Sequence, residues 1–338
     1  MTSYEDAGVN LDAADELVER IEWRVTSTWT DDVVGGFGGF AAGIGIPVGY
    51  RNPVLMMTTD GVGTKADLAR RAGIVGGLGY DAVAMVADDL AAVGATPIAL
   101  TNYIAIGRLD VDRVEELIGS VCDACSAADI AVLGGETAEH PGVMGPDQFD
   151  LSATALGIVE LGEEIDPTTV APGDALVGIG SPNLRSNGFS LVRAIIGTKL
   201  ALDGTFPDTK RSTVEVLLEP SVVYAPGIGN LLARVKPHAL AHITGGGLPG
   251  NVLRVLPEGR RAVIDRTTWE VPHVFGVLQH LGAIPLGDMF RTFNMGIGFV
   301  AIVASDDVAA TLKAMEVSEL DAAVIGEVVD GARGVEIS

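Results

Sequence analysis

The spacing of apolar residues changes several times along the chain, and each change marks an element. Leu11, Leu17, Val18, Ile21 and Val25 recur at helical intervals, so residues 11–25 are predicted as an amphipathic helix. Residues 54–59 form a short apolar run that ends in threonines and predict a buried strand. A helix over 81–93, a strand over 98–104, a helix over 111–128 and a short strand over 130–133 follow. Residues 151–159 alternate with a period of two, as a half-buried strand does. Pro167 and Ala171-Pro172-Gly173-Asp174 then read as a linker. Beyond it, strands are predicted over 175–179, 239–243, 262–265, 296–303 and 323–329, and helices over 188–196, 271–281 and 306–315. Strands and helices mix in both halves, which defines an α/β (α+β) architecture. The 338 residues exceed what one core usually holds, so two domains are expected, 1–166 and 172–338.

Composition narrows the function. Hydrophobic residues make up 48% of the chain, enough for two cores. Met1 to Asn10 contains Glu5 and Asp6 and no apolar run, so neither a secretory leader nor a membrane span is expected. The net charge is −23, from 45 acids against 22 bases, and only five of the bases are lysines. Such a surface repels nucleic acid and anionic membrane. Acid excess with scarce lysine suits a cytoplasm of molar salt, where screening relieves self-repulsion. Cys122 and Cys125 fall on the apolar stripe of helix 111–128, with Val114, Leu117, Ile118 and Val121. They are expected as buried thiols in a reducing compartment rather than as a redox or zinc pair.

Against this background a few polar clusters stand out. Asp60-Gly61-Val62-Gly63-Thr64-Lys65 follows the 54–59 strand. Two glycines permit a tight turn and close ligand approach; Asp60 suits magnesium, and Lys65 suits a phosphate. The spacing differs from the Walker A pattern, and an ordinary surface turn is the other reading. Gly35-Gly36-Phe37-Gly38-Gly39-Phe40 either wraps a ligand or is a plain glycine loop. Asp88 and Asp89 interrupt helix 81–93, whose buried stripe is read as Val83, Val86, Leu90 and Val93. Helical geometry points Asp88 to solvent and places Asp89 at the stripe's edge, in need of a cation. Gly134-Gly135-Glu136-Thr137-Ala138-Glu139-His140 ends a strand, where ligands often bind; Glu136 is a metal-ligand candidate, and His140 reads equally as a loop histidine. Ser186-Asn187-Gly188 and Thr244-Gly245-Gly246 place small donors and glycines after strands, as phosphate loops do. Arg291 and Asn294 are either a structural pair or phosphate ligands. Residue chemistry alone stops at an ATP-dependent enzyme acting on a phosphorylated metabolite.

Six segments together resemble one family. Ser3-Tyr4-Glu5-Asp6-Ala7-Gly8-Val9, residues 60–65, 134–142, SNGFSLVR at 186–193, HITGGG at 242–247 and MFRTFNMGIG at 289–298 are similar in order and content to phosphoribosylformylglycinamidine cyclo-ligases, the AIR synthetases of purine synthesis. The resemblance implies a homodimer in the cytoplasm, with the N-terminal domain completing a barrel-like sheet across the dimer and a mixed α/β sandwich as the C-terminal domain. It implies ATP as co-substrate, bound by Gly36, Gly38, Asp60, Gly61, Gly63, Thr64 and Lys65. It implies Mg2+ on Asp60, Asp89 and Glu136, and catalytic roles for Lys65, Asp89 and His242. The ribonucleotide substrate would meet Ser186, Asn187, Gly188, Thr244, Gly245, Gly246, Arg291 and Asn294. Two positions depart from the family pattern. Arg185 stands where the family commonly has histidine, which removes a base but leaves phosphate binding open, and Asp88 stands where it has asparagine.

The same superfamily contains thiamine-monophosphate kinases, selenophosphate synthetases and a hydrogenase-maturation protein. The chain lacks the cysteine near its glycine loop and the C-terminal cysteine expected of the latter two. The kinase is the remaining enzymatic alternative, and a non-catalytic nucleotide-binding relative is the other.

Overall fold

A computed structural model describes residues 10–338, so the first segment of the resemblance, Ser3 to Val9, lies outside the described residues. The chain forms two compact units. Among the described residues, unit 1 holds 10–90, 96–161 and 220–223; unit 2 holds 91–95, 162–219 and 224–338.

Unit 1 runs α1 (Leu11–Thr26), β1 (Val33–Val34), β2 (Gly43–Ile44), β3 (Pro53–Gly61), α2 (Lys65–Ala72), α3 (Leu78–Ala92), β4 (Thr96–Ile106), α4 (Val111–Ala127), β5 (Ala131–Glu139) and β6 (Phe149–Glu160). Its main sheet has the order β3-β6-β4-β5, antiparallel except for the β4–β5 pair. Asn10 caps α1 and Asp110 caps α4, each accepting a backbone N–H from the first turn. Cys122 and Cys125 are buried in α4, as expected. The glycine-rich loop is the tip of a small hairpin in which Val33 faces Ile44 and Val34 faces Gly43.

Unit 2 continues with β7 (Ala175–Gly180), α5 (Phe189–Ile195), α6 (Thr213–Leu217), α7 (Ala225–Leu232), β8 (Ala239–His242), α8 (Gly247–Arg254), β9 (Arg260–Ile264), α9 (His273–Gly282), α10 (Leu286–Thr292), β10 (Ile297–Val303), α11 (Val308–Val317), β11 (Ala322–Asp330) and β12 (Gly334–Ile337). The sheet order is β12-β9-β11-β7-β10-β8, with only the β12–β9 pair parallel. Every residue of β10 is buried, so it reads as a continuous apolar run and not as an alternating one. The stretch read as a linker is built in: Asp166 caps a 3-10 turn at Pro167–Thr169, and Gly173 and Asp174 bond Val328 of β11.

Three expectations are corrected. Asp88 is fully buried, because α3 is enclosed on nearly all sides. Val93 lies beyond the end of α3 and is 41% exposed. The 130–133 strand does not stop at the glycine pair but continues through it to Glu139. Gly135 permits this, because a Cβ there would lie 2.8 Å from Asn102 Oδ1 on β4.

Candidate active site

In unit 1 the first polar cluster forms where β3 leaves the sheet. Gly61 packs tightly: a Cβ would lie 3.1 Å from the Leu151 carbonyl oxygen of β6. Val62 is buried and donates to that same oxygen, and Gly63 has φ +60, so the chain turns left-handed into α2. Asp60 is exposed and accepts the Gly61 N–H at 2.7 Å. Thr64 is exposed at the head of α2.

Lys65 is the first residue of α2 and points inward. Its Nζ lies 2.7 Å from Asp81 Oδ2 of α3, and neither side chain has solvent exposure. The other Asp81 oxygen accepts the backbone N–H and the hydroxyl of Ser221 at 3.1 and 2.5 Å. Burial raises the Asp81 carboxyl above its ordinary range, against the pull of Lys65 and Ser221. Sequence reasoning missed Asp81 and Ser221 as partners of Lys65; the signal was an aspartate amid apolar helix residues.

The three proposed metal ligands do not share one place in the chain. Asp60 pairs across the sheet with Ala153, then Asn102, then Gly135, so these four share a face. Asp89 approaches that face, its Oδ2 within 3.5 Å of Thr58 Oγ1. Glu136 instead lies in the row of Tyr103, Ser152 and Gly61, on the opposite face. Three strand spacings separate it from β3, roughly 14 Å. Among the described residues, no group of three or more acids, histidines and cysteines could hold a metal ion.

A groove of about 920 Å³ opens between α1, the glycine hairpin and β5. Gly36 and Gly38 line it, as do Asn102, Gly135 and Glu136. Cβ atoms added at Gly36 or Gly38 would meet nothing within 4 Å, so a ligand can approach the backbone there. Leu11 and Val18, predicted on the buried stripe of α1, are exposed at 60% and 46% and face this groove. Asn102, a buried amide in the middle of β4, is the wall residue that sequence reasoning passed over. The His140 ring lies against the Tyr103 hydroxyl, with Nε2 at 3.2 Å.

In unit 2 three motifs distant in sequence meet. Gly188, at φ +77, sits against Phe293: a Cβ would lie 2.2 Å from its ring. Gly247 sits against the Phe290 carbonyl, where a Cβ would lie 1.9 Å away. The turns at 186–188 and 244–247 are thus both packed on 289–296. Ser186, Asn187 and Thr244 are half-buried, and Gly245 and Gly246 are exposed. Arg291 is exposed on α10. Asn294 is buried, and its amide donates to Asn183 O at 2.9 Å and Ser181 Oγ at 3.2 Å while its oxygen accepts the Gly296 N–H. It shapes the loop that precedes Ser186. Arg185 is fully buried, which corrects the expectation that it remains available to phosphate. His242, at the end of β8, is buried and stacks on Phe299 with centroids 5.9 Å apart.

Two matched halves define the class of protein. Residues 48–159 match the N-terminal domain of the AIR synthase related proteins, and residues 171–337 match their C-terminal domain. The chain is 43% identical, over 98% of its length and 96% of the relative, to the phosphoribosylformylglycinamidine cyclo-ligase of Myxococcus xanthus (strain DK1622). It belongs to the phosphoribosylformylglycinamidine cyclo-ligase family. Its fold is shared by the thiamine-monophosphate kinase of Stenotrophomonas maltophilia K279a, at a TM-score of 0.70 and 21% identity over 95% of each chain. The hydrogenase maturation protein HypE in complex with ATP shares it too, at 0.68 and 18% identity over 98% of this chain and 94% of that one.

Proposed function

We propose that the chain closes the imidazole ring of formylglycinamidine ribonucleotide, consuming ATP and releasing 5-aminoimidazole ribonucleotide, ADP and phosphate. The observation that carries this is the 43% identity to a curated cyclo-ligase along nearly the whole of both chains. The assembly of the 186–188, 244–247 and 289–296 segments in unit 2 supports it. The kinase shares the fold at 21% identity, which speaks for architecture and not for substrate.

The chemistry has one obstacle: the formyl oxygen is a poor leaving group. Transfer of the γ-phosphoryl group to that oxygen makes an iminophosphate-like species and ADP. The ribose-bearing nitrogen then attacks the formyl carbon, the C–O bond breaks, and phosphate leaves with the oxygen. Ser186, Asn187, Gly188 and the Thr244-Gly245-Gly246 turn hold the ribonucleotide through hydroxyl, amide and backbone N–H donors. Arg291 supplies an exposed cation for its phosphate. His242 is the residue assigned to proton transfer in this reading.

In unit 1, ATP is bound by Gly36 and Gly38 and by the 60–64 turn. Lys65 supports that turn from beneath, because its ammonium is engaged by Asp81. Asp60 and Asp89 fit a magnesium ion that keeps phosphate oxygens and water as its other ligands, whereas Glu136 does not fit with them. Such an ion would neutralise phosphate charge in a chain whose net charge is −23. The outer face of the unit 1 sheet exposes Leu55, Met57 and Tyr103, and a second copy of the chain is the proposed cover, making a homodimer. No helix among the described residues is long and apolar enough to cross a membrane. A cytoplasm of high salt is the proposed setting.

The test is ADP release by purified protein. Turnover that needs formylglycinamidine ribonucleotide supports the reading; turnover with thiamine monophosphate replaces it with the kinase; MgATP binding without turnover on either leaves a nucleotide-binding relative.

A further inference from the structure

Arg185 is the largest fully buried side chain among the described residues. A buried guanidinium needs a specific reason, since the planar cation is costly to dehydrate. Its backbone is constrained as well. Arg185 has φ +56, a left-handed conformation that L side chains seldom adopt, and its N–H donates to Asn183 Oδ1 at 2.8 Å. The guanidinium lies over the Tyr224 ring, 4.7 Å from the centroid, a cation–π contact strengthened by the dry surroundings.

Tyr224 is itself fixed. Its hydroxyl donates to the Gly180 carbonyl at 2.7 Å, and it occupies space left by Gly298, where a Cβ would lie 2.1 Å from the hydroxyl oxygen. Its ring packs on Phe299, with centroids 5.9 Å apart and planes at 56°, and Phe299 stacks on His242 at 5.9 Å and 19°. A continuous row therefore runs Arg185–Tyr224–Phe299–His242. One end is the residue immediately before Ser186-Asn187-Gly188. The other is the residue two before Thr244-Gly245-Gly246.

We propose that Arg185 is a positioning residue for the ribonucleotide: acting through Tyr224 and its own left-handed backbone, it sets the 186–188 turn and holds it in register with the 244–246 turn across the aromatic row. Arg185 touches no substrate in this role. The flat guanidinium can lie against Tyr224, and a flat imidazole can do the same. Methionine has no planar face, and a lysine ammonium, though it can sit over a ring as a point charge, cannot stack flat against it. The proposal rests on the reading of unit 2 as the ribonucleotide-binding half.

The test compares R185M, R185K and R185H with the unaltered protein in the ADP-release assay, measuring KM separately for ATP and for formylglycinamidine ribonucleotide. R185M and R185K are expected to raise the ribonucleotide KM tenfold or more while leaving the ATP KM within twofold. R185H is expected to stay within threefold of the unaltered protein for both. A ribonucleotide KM unchanged in R185M overturns the proposal. So does a parallel rise in both KM values with R185H no better than R185M, which marks a packing role only. If R185M does not fold, the contrast between R185H and R185K decides in the same way. Absence of turnover in the unaltered protein is a separate result, because it removes the cyclo-ligase reading before any variant is compared.

Discussion

Lys65 Nζ and Asp81 Oδ2 lie 2.7 Å apart with no solvent exposure on either side chain. Such a pair repays its dehydration only while both members are present. Asp81→Asn or Lys65→Met alone is expected to lower stability by about 3–5 kcal/mol, because each strands a buried partner. Lys65→Met combined with Asp81→Asn should cost much less than the sum of the single changes. Urea unfolding of the three variants measures this; additive losses would show that the two groups are not coupled.

The sheet faces separate the acidic candidates. Asp60→Asn and Asp89→Asn are each expected to weaken MgATP binding by about tenfold or more, as loss of one charge-assisted contact does. Glu136→Gln should leave the magnesium dependence of binding unchanged. Calorimetry at several magnesium concentrations distinguishes them, and an equal effect of Glu136→Gln would place all three acids on one ion.

Gly188 combines φ +77 with a Cβ position 2.2 Å from the Phe293 ring. Gly188→Ala therefore meets backbone strain and a clash together, and about 2–5 kcal/mol of stability should be lost. The ribonucleotide KM should rise as well, because the 186–188 turn must shift. Denaturant titration and steady-state kinetics read the two effects.

Burial pushes the Cys122 thiol up to about 12, with Asp123 adding to the shift, and Cys125 goes well above its ordinary value for the same first reason. A raised thiol favours the folded state while both forms hold their protons. That contribution is complete below about pH 9 and is lost as pH climbs through about 12. At pH 8 iodoacetamide is expected to leave both cysteines of the folded protein unmodified and to label both in denaturant. Rapid labelling of the folded protein would show that α4 opens.

With a net charge of −23, repulsion between surface carboxylates should be relieved by screening. The melting temperature is expected to rise from low to molar KCl. A flat or falling series would remove the high-salt setting.

Much of this was readable from residue order. The period of apolar positions located the helix at α4 within a residue and strands β3, β4 and β6 to β11 within about two, whereas β5 runs on through its glycine pair to Glu139 and the short edge strand β12 carries too few apolar positions to stand out. Helix α2 was missed: Lys65–Ala72 is short and charge-rich, and it lies directly after a turn that drew attention to its own chemistry. Asp88 was misplaced because a helical wheel assumes one wet side, and α3 has almost none. The candidate residues themselves were legible as motifs. Their orientation was not: Lys65 faces inward, Glu136 faces away from Asp60, and Arg185 lies beneath its loop. Each depends on residues far along the chain, such as Ser221 and Tyr224, and no local pattern announces them.

Ser221 has a consequence for biosynthesis. It completes the hydrogen-bonding of Asp81 from 140 positions later in the chain, within the stretch 220–223 that is part of unit 1. While the chain is still emerging from the ribosome, α2 and α3 are made long before that serine arrives. The first unit therefore cannot reach its final state vectorially, and a fragment that stops short of Pro220 is left with a carboxylate in its interior that lacks two of its three donors.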